Sequence, residues 1–172
     1  MQYENALALR VALETGLRIG DVLALKPCDI NGRTISYTAQ KTRKKGKAVI
    51  SADLAKRLGQ ISNKDYIFAG RFGNKPRCRQ TVWKDVKKAS KELKFLENVA
   101  PHSARKTFAV DDFHENGLPH TQKQLQHDRT DTTMLYAFSD LLTGKAHKNL
   151  DVEKFAELVA NKVVEKLRQT VF

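Results

Sequence analysis

The chain has 172 residues and a formal net charge of +12. No apolar run approaches the roughly 18 residues needed to span a membrane, and the first residues lack a signal-peptide pattern, so we expect a cytoplasmic protein. The positive charge favours a polyanionic partner, and nucleic acid is the first candidate.

The two cysteines and five histidines argue against a disulfide scaffold and against a metal site. Cys28 and Cys78 lie in no CxxC or Cys/His cluster, and the histidines show no metal-ligand spacing. We therefore expect a reduced compartment, no disulfide framework and no structural metal.

The first third of the chain predicts two helices and a hairpin. Residues 2–15 should form a buried helix that ends at Gly16, and a short second helix should run over 19–25. Polar and apolar residues then alternate over 34–39, which predicts a strand. A basic run and the apolar residues 48–50 follow, so we expect a hairpin with a basic tip.

The rest of the chain is predicted to be helical. The expected helices cover residues 52–60, 79–95, 102–116, 120–126, 131–138 and 151–169. Gly117 should end the third of them. In the second, apolar or small residues recur at helical spacing: Trp83, Val86, Ala89 or Ser90, and Leu93. The opposite face carries four lysines, Lys84, Lys87, Lys88 and Lys91. The predicted fold class is therefore mainly α with a small antiparallel β-sheet (α+β).

Four local motifs occur in a fixed order. They are Thr-Gly-Leu-Arg ending at Arg18, Lys41 after the predicted strand, His-Ser-Ala-Arg from His102 to Arg105, and Leu-Gln-His ending at His127 with Tyr136 nine residues later. This set, over about residues 5–140, resembles the catalytic domain of the tyrosine recombinase, or phage integrase, family. Gln126 stands where that family usually has glycine. The resemblance implies the family's catalytic fold, with a small three-stranded sheet near Lys41.

The residue types suit an attack on a DNA phosphodiester. Negative charge builds on the non-bridging oxygens, and Arg18 and Arg105 can clamp them through planar guanidinium groups. Tyr136 is a candidate covalent nucleophile, but its phenol needs help to lose a proton at neutral pH. His102 lies three residues before Arg105 on the same helix face, so it is a candidate base or hydrogen-bond acceptor.

The resemblance implies roles for two further residues. Lys41 would be the general acid that protonates the 5′-oxygen leaving group, and His127 would donate a hydrogen bond to the phosphate. Three neighbouring lysines are rivals for the acid role and are otherwise expected to contact phosphates: Lys44, Lys45 and Lys47. Asp21 either supports the Arg18 region or is a helix-surface acid. A covalent link conserves the energy of the cut bond, so we expect no cofactor.

Basic residues outside the motifs predict contacts with the DNA backbone. They lie on the hairpin and on or just before the helix over 79–95: Arg43, Lys44, Lys45, Lys47, Arg77, Arg79, Lys84, Lys87, Lys88 and Lys91. Such contacts position a duplex without specifying its sequence.

The predicted organisation is a catalytic domain over residues 1–149 and a C-terminal amphipathic helix or tail over 150–172. The apolar stripe of the tail predicts packing on its own domain or exchange with a neighbouring subunit. The family usually carries an N-terminal DNA-binding domain, which we expect to be absent from this chain. The implied partners are double-stranded DNA and accessory DNA-bending proteins. The chain is expected to form a homotetramer on DNA and to be a monomer without DNA.

The predicted function is site-specific recombination, in which DNA strands are cut and rejoined through a 3′-phosphotyrosyl intermediate. Two alternatives stay open. One is a type IB topoisomerase, which relaxes DNA without exchanging partners. The other is a catalytically silent DNA-binding module on the same fold, against which the complete motif set argues. In each case the chain would associate with the nucleoid when it is bound to DNA.

Overall fold

The helices and the small sheet follow the order that the sequence predicts. The computed structural model describes residues 1–62, 65–94 and 98–126. In chain order these form α1 (Tyr3–Thr15), α2 (Ile19–Leu23), a 3-10 turn (Pro27–Asp29), β1 (Ile30–Asn31), β2 (Thr34–Thr38), β3 (Lys45–Val49), α3 (Ala52–Ile61), α4 (Arg79–Glu92) and α5 (Pro101–Gln124). The predicted helices over 131–138 and 151–169 lie outside the described residues. Within the described ranges, no helix combines the length and apolar character needed to cross a membrane.

The sheet is antiparallel, with the strand order β1-β2-β3. In its main register, Ile35 lies opposite Ala48 and Tyr37 lies opposite Gly46. Ile35 and Tyr37 are buried, whereas the intervening Ser36 is exposed, as expected when successive strand residues point to opposite faces. Because β2 ends at Thr38, the basic tip of the hairpin is the loop that carries Lys41.

Helix α1 is covered on most of its surface, as its mixed apolar periodicity predicts. Its buried residues are Asn5, Leu7, Ala8, Val11, Ala12 and Thr15. It packs against α2, α3 and α5. Full burial of a side chain such as Val11 contributes roughly 1.5–3 kcal/mol. The polar Asn5 is satisfied, because its amide donates to Asp85 on α4 at 2.9 Å.

Helix α4 meets the core through two valines. The buried residues are Val82 and Val86, one helical turn apart, whereas Trp83 and Leu93 are 49% and 67% exposed. The valines pack into the core, which leaves the larger Trp83 on the surface beside Lys87, whose ammonium lies 5.8 Å from the ring centre. Among the apolar residues that recur at helical spacing, Val86 therefore packs into the core, whereas Trp83 and Leu93 do not. Spacing alone does not say which of two adjacent apolar stripes meets the core.

Gly117 interrupts α5, as the sequence predicts. Its φ of 77° and ψ of 172° are non-helical, and Pro119 follows. The two helical segments are joined across this break by the buried Asp112. Its carboxylate accepts a hydrogen bond from the Thr121 hydroxyl at 2.7 Å and contacts Nδ1 of His120 at 3.0 Å. This network holds the end of α5, and with it Leu125, at a defined place on the core.

Candidate active site

Arg105 joins three of the four sequence motifs. Its side chain is buried, with 3% exposure. One terminal nitrogen donates to the carbonyl oxygen of Gly16, and the other donates to that of Leu125 at 2.7 Å. A buried cation requires hydrogen-bond partners, and these two carbonyls supply them. The Thr-Gly-Leu-Arg, His-Ser-Ala-Arg and Leu-Gln-His segments therefore meet at one guanidinium.

Gly16 makes this meeting possible, because no other residue fits its position. It ends α1 with a φ of 68°, in the left-handed region that favours glycine. A Cβ atom there would lie 2.4 Å from the Phe108 ring and 2.8 Å from a methyl group of Leu125. Gly16 thus allows both the turn after α1 and the close approach of that turn to α5.

Four of the six predicted catalytic residues line one cleft of about 490 Å³. The residues that line it are Arg18, Ile19, Gly20, Asp21, Gln40, Lys41, Arg79, Pro101, His102 and Arg105. They come from α2 and the residue before it, from the loop between β2 and β3, and from the first turns of α4 and α5. The other two predicted residues, His127 and Tyr136, lie outside the described residues.

Asp21 connects this cleft to the hairpin. It is buried on α2, and its Oδ1 accepts a hydrogen bond from the main-chain nitrogen of Gln40 at 2.9 Å. The Gln40 amide in turn donates to the carbonyl of Gly20 at 3.2 Å. The residue before Lys41 is therefore fastened to α2. The sequence left open whether Asp21 supports the Arg18 region or is a helix-surface acid, and it contains no signal for the contact with Gln40, which is 19 residues away.

His102 lines the cleft from the first turn of α5. Desolvation by surrounding protein atoms lowers the pKa of this imidazole below its ordinary value of 6.5, and the nearby cations of Arg105, Lys106 and Arg18 lower it further. The neutral ring, which can accept a proton, is therefore favoured at neutral pH.

The hairpin and the end of α5 also meet through the side chain of Gln126, in contacts for which the sequence contains no signal. Gln126 lies in the left-handed region, with a φ of 51°. Its amide accepts a hydrogen bond from the Thr42 hydroxyl at 3.2 Å and donates one to the Tyr37 hydroxyl at 3.3 Å. Burial raises the pKa of Tyr37, and the positive charge of Arg105 opposes that shift. Such a positive φ is a backbone conformation that glycine adopts freely and that glutamine adopts at a cost.

The predicted DNA-binding residues fall into distinct environments. Arg79 lines the cleft, where its side chain covers Gly20. In contrast, the guanidinium of Arg77 faces α1 and donates to the side chains of Gln2 at 2.7 Å and Asn5 at 3.0 Å.

The hairpin and α4 present the remaining basic groups. The exposed ones are Arg43, Lys44, Lys45, Lys47, Lys84, Lys88 and Lys91. On α4, Lys88 forms an ion pair with Glu92 at 3.9 Å, and Lys87 donates to the side chain of Asn98. Exposed basic residues therefore lie on the hairpin and on α4, both of which contribute a residue to the cleft.

Comparison with known proteins places the chain in a family. The phage integrase family matches residues 1–141. The probable integrase/recombinase YoeC of Bacillus subtilis (strain 168) is 26% identical over 140 residues, which are 78% of this chain and 77% of that protein. The tyrosine recombinase XerD of Halalkalibacterium halodurans is 27% identical over 149 residues, which are 77% of this chain and 48% of that protein.

Solved structures show the same fold. The crystal structure of XerA recombinase has a TM-score of 0.63 at 21% identity, and covers 86% of this chain and 65% of that one. A lambda integrase dimer bound to a COC′ core site has a TM-score of 0.68 at 21% identity, and covers 79% of this chain and 42% of that one.

The chain belongs to the phage integrase family of tyrosine recombinases. The predicted family, fold class and class of enzyme, a site-specific tyrosine recombinase, are confirmed. The chain spans 77% of YoeC but only about half of XerD.

Proposed function

We propose that this chain is the catalytic domain of a site-specific recombinase that cuts and rejoins DNA through a covalent bond to Tyr136. The observation that carries the proposal is the single cleft lined by Arg18, Lys41, His102 and Arg105. Two guanidinium groups, an imidazole and an ammonium group around one cleft suit a phosphodiester, whose charge grows during attack. The net charge of +12 agrees with a DNA partner.

In the proposed reaction, Arg18 and Arg105 hold the non-bridging oxygens of the scissile phosphate. Arg105 is well suited to this task, because its contacts with the carbonyls of Gly16 and Leu125 fix the guanidinium before DNA arrives. A group oriented in advance stabilises the developing charge without having to reorganise during the reaction. His127 adds a hydrogen bond to the same phosphate.

The proton transfers follow from the chemistry of the remaining groups. The Tyr136 oxygen bonds to phosphorus while the bond from phosphorus to the 5′-oxygen breaks. His102 accepts the phenolic proton, in keeping with its lowered pKa. Lys41 gives a proton to the departing 5′-oxygen. Attack by the free 5′-hydroxyl of another strand then reverses these steps and releases Tyr136.

We further propose that the duplex lies across the cleft, with the hairpin on one side and α4 on the other. Arg79 is the basic residue outside the motifs that lies nearest the reacting phosphate, since it lines the cleft. The lysines of α4 and of the hairpin contact phosphates farther away. Arg77 contributes least to binding, because its guanidinium is held by Gln2 and Asn5.

The arrangement of the whole protein is part of the same proposal. Residues 1–149 form the catalytic domain, and 150–172 form a tail that is exchanged between subunits. A tetramer assembles on DNA from monomers. The protein acts in the cytoplasm, at the nucleoid.

A nicked suicide substrate tests the proposal, because loss of the short cleaved strand traps the covalent intermediate. Wild-type chain should yield a protein–DNA adduct on a denaturing gel, and Tyr136→Phe should yield none while still binding DNA. Tyr3→Phe is the matched control, since Tyr3 is an exposed tyrosine on α1. Adduct from Tyr136→Phe at the wild-type level would refute the proposal.

A further inference from the structure

Contacts on both sides of Lys41 join the loop that carries it to neighbouring elements. On one side, the main-chain nitrogen of Gln40 donates to Asp21 at 2.9 Å. On the other, the Thr42 hydroxyl donates to the side-chain oxygen of Gln126 at 3.2 Å. The first contact fastens the loop to α2, and the second fastens it to the residue that follows Leu125. Lys41 is exposed between them.

The amide of Gln126 is closely fitted to the hairpin. Its nitrogen donates to the Tyr37 hydroxyl at 3.3 Å, and Tyr37 is buried opposite Gly46 in the sheet. A Cβ atom on Gly46 would lie 2.8 Å from that amide nitrogen and 2.6 Å from the Tyr37 hydroxyl. The amide therefore lies directly over Gly46, in space that any other residue at that position would take.

The backbone conformation of Gln126 is one that a residue with a side chain adopts at a cost. Its φ of 51° lies in the region that glycine adopts freely and that other residues adopt at a cost. A glycine would relieve that cost but could not reach Tyr37 or Thr42. The neighbouring Leu125 carbonyl is held by Arg105 at 2.7 Å, so the side chain extends from an anchored point.

We propose that Gln126 is a positioning residue that acts through Lys41. Its amide ties the Lys41 loop to the segment anchored by Arg105, and so sets the distance between the general acid and the phosphate clamp. A flexible lysine transfers a proton efficiently only when its loop is held near the leaving group. This inference rests on the proposed role of Lys41 as the general acid.

A substrate with sulfur in place of the 5′-bridging oxygen separates positioning from folding. A thiolate leaves without a proton, so the general acid becomes dispensable. Lys41→Ala should be slow on normal DNA and close to wild type on the sulfur substrate. Gln126→Gly should show the same pattern, with single-turnover cleavage reduced by about fivefold or more on normal DNA, because imperfect placement of a reacting group readily costs that much.

Matched variants sharpen the comparison. Thr42→Val keeps the shape of the side chain but removes one hydrogen bond, so it should resemble Gln126→Gly in a milder form. Gln124→Ala changes a glutamine two residues earlier that makes no hydrogen bond to the hairpin within the described part of the chain, so it should be normal on both substrates. Gln126→Gly should unfold at nearly the wild-type temperature, because the relieved backbone offsets the lost hydrogen bonds.

Amide hydrogen exchange over residues 40–44 tests the tether without reference to Lys41. Exchange in this loop should be faster in Gln126→Gly and in Thr42→Val. Unchanged exchange or normal cleavage by Gln126→Gly would overturn the inference about Gln126 but not the proposed function. The same holds if the sulfur substrate restores Lys41→Ala while Gln126→Gly stays slow on both substrates. If sulfur does not restore Lys41→Ala, the proposed acid role is wrong, and the inference falls with it.

Discussion

A terminal nitrogen of Arg105 donates a hydrogen bond to the main-chain oxygen of Leu125 at 2.7 Å, across 20 residues of sequence. Its other terminal nitrogen donates to Gly16, which is 89 residues away. Carbonyl oxygens orient a guanidinium without neutralising it, so its positive charge remains available to an anion. The Arg105 side chain can therefore both stabilise the fold and bind the phosphate. Substitution of Arg105 should consequently affect stability as well as catalysis, whereas substitution of Arg18 should affect catalysis alone.

Replacing each clamp arginine with lysine should separate catalysis from stability. Arg18→Lys and Arg105→Lys keep the charge but lose the planar fork, so each should slow single-turnover cleavage by more than tenfold, or about 1.4 kcal/mol. Arg105→Lys should also lower the free energy of unfolding by about 1–3 kcal/mol, because two buried carbonyls lose their donors. Arg18 is only partly buried, so Arg18→Lys should unfold like the wild type.

Arg57→Lys is a suitable control for that pair, since Arg57 forms a surface ion pair with Asp53 on α3. Rates and denaturation midpoints should both stay at wild-type values. Near-normal cleavage by Arg18→Lys or Arg105→Lys would remove that residue from the clamp.

Gly16→Ala should destabilise the fold more than an alanine at another glycine of positive φ. Gly16 and Gly32 have φ values of 68° and 59°, but a Cβ on Gly32 would meet nothing within 4 Å. Gly32→Ala should therefore cost about 1–2 kcal/mol from the backbone alone. Gly16→Ala should cost about 2–5 kcal/mol, because the added methyl also collides with Phe108 and Leu125. Urea denaturation measures both, and equal midpoints would show that the contact with α5 is looser than described.

The rate of cleavage should depend on pH through His102. If the neutral imidazole accepts the proton of Tyr136, the rate should fall as the pH drops through the lowered pKa of His102, below 6.5. Lys106→Gln removes one of the cations that lower this pKa, so the acidic limb of the profile should move to higher pH. Single-turnover rates from pH 5 to 8 and an NMR titration of the ring measure the two effects. An unmoved limb in Lys106→Gln, alongside a raised ring pKa, would exclude His102 as the base.

The salt dependence of DNA binding should distinguish Arg79 from Arg77. If the chain contacts about six to eight phosphates, log K should fall with log salt at a slope of about −5 to −7. Arg79→Gln should make that slope shallower by about 0.9, because one phosphate contact is lost. Arg77→Gln removes the same charge but should leave the slope unchanged and lower the unfolding temperature, since its guanidinium binds Gln2 and Asn5. Fluorescence anisotropy at several salt concentrations decides between them, and equal slopes for the two variants would contradict the assignment.

The sequence by itself determined two things: the secondary-structure features that depend on residues adjacent in the chain, and the class of chemistry. Gly16 ends α1, Gly117 breaks α5, and the alternation around Ile35 forms a strand, because these preferences reside in a few adjacent residues. The chemistry was recognisable because few residue types can clamp a phosphate, attack it and protonate its leaving group. Those residues stand in a fixed order along the chain.

Only the tertiary structure decided which residues meet. Asp21, which the sequence offered as support for Arg18, accepts a hydrogen bond from Gln40. Arg77, which the sequence offered as a DNA contact, donates to Asn5 on α1. Val82 rather than Trp83 faces the core. Each of these outcomes depends on how α1, α4, α5 and the hairpin pack together, and that packing is a property of surfaces distant in sequence. Local periodicity and motif spacing therefore do not predict how these elements pack.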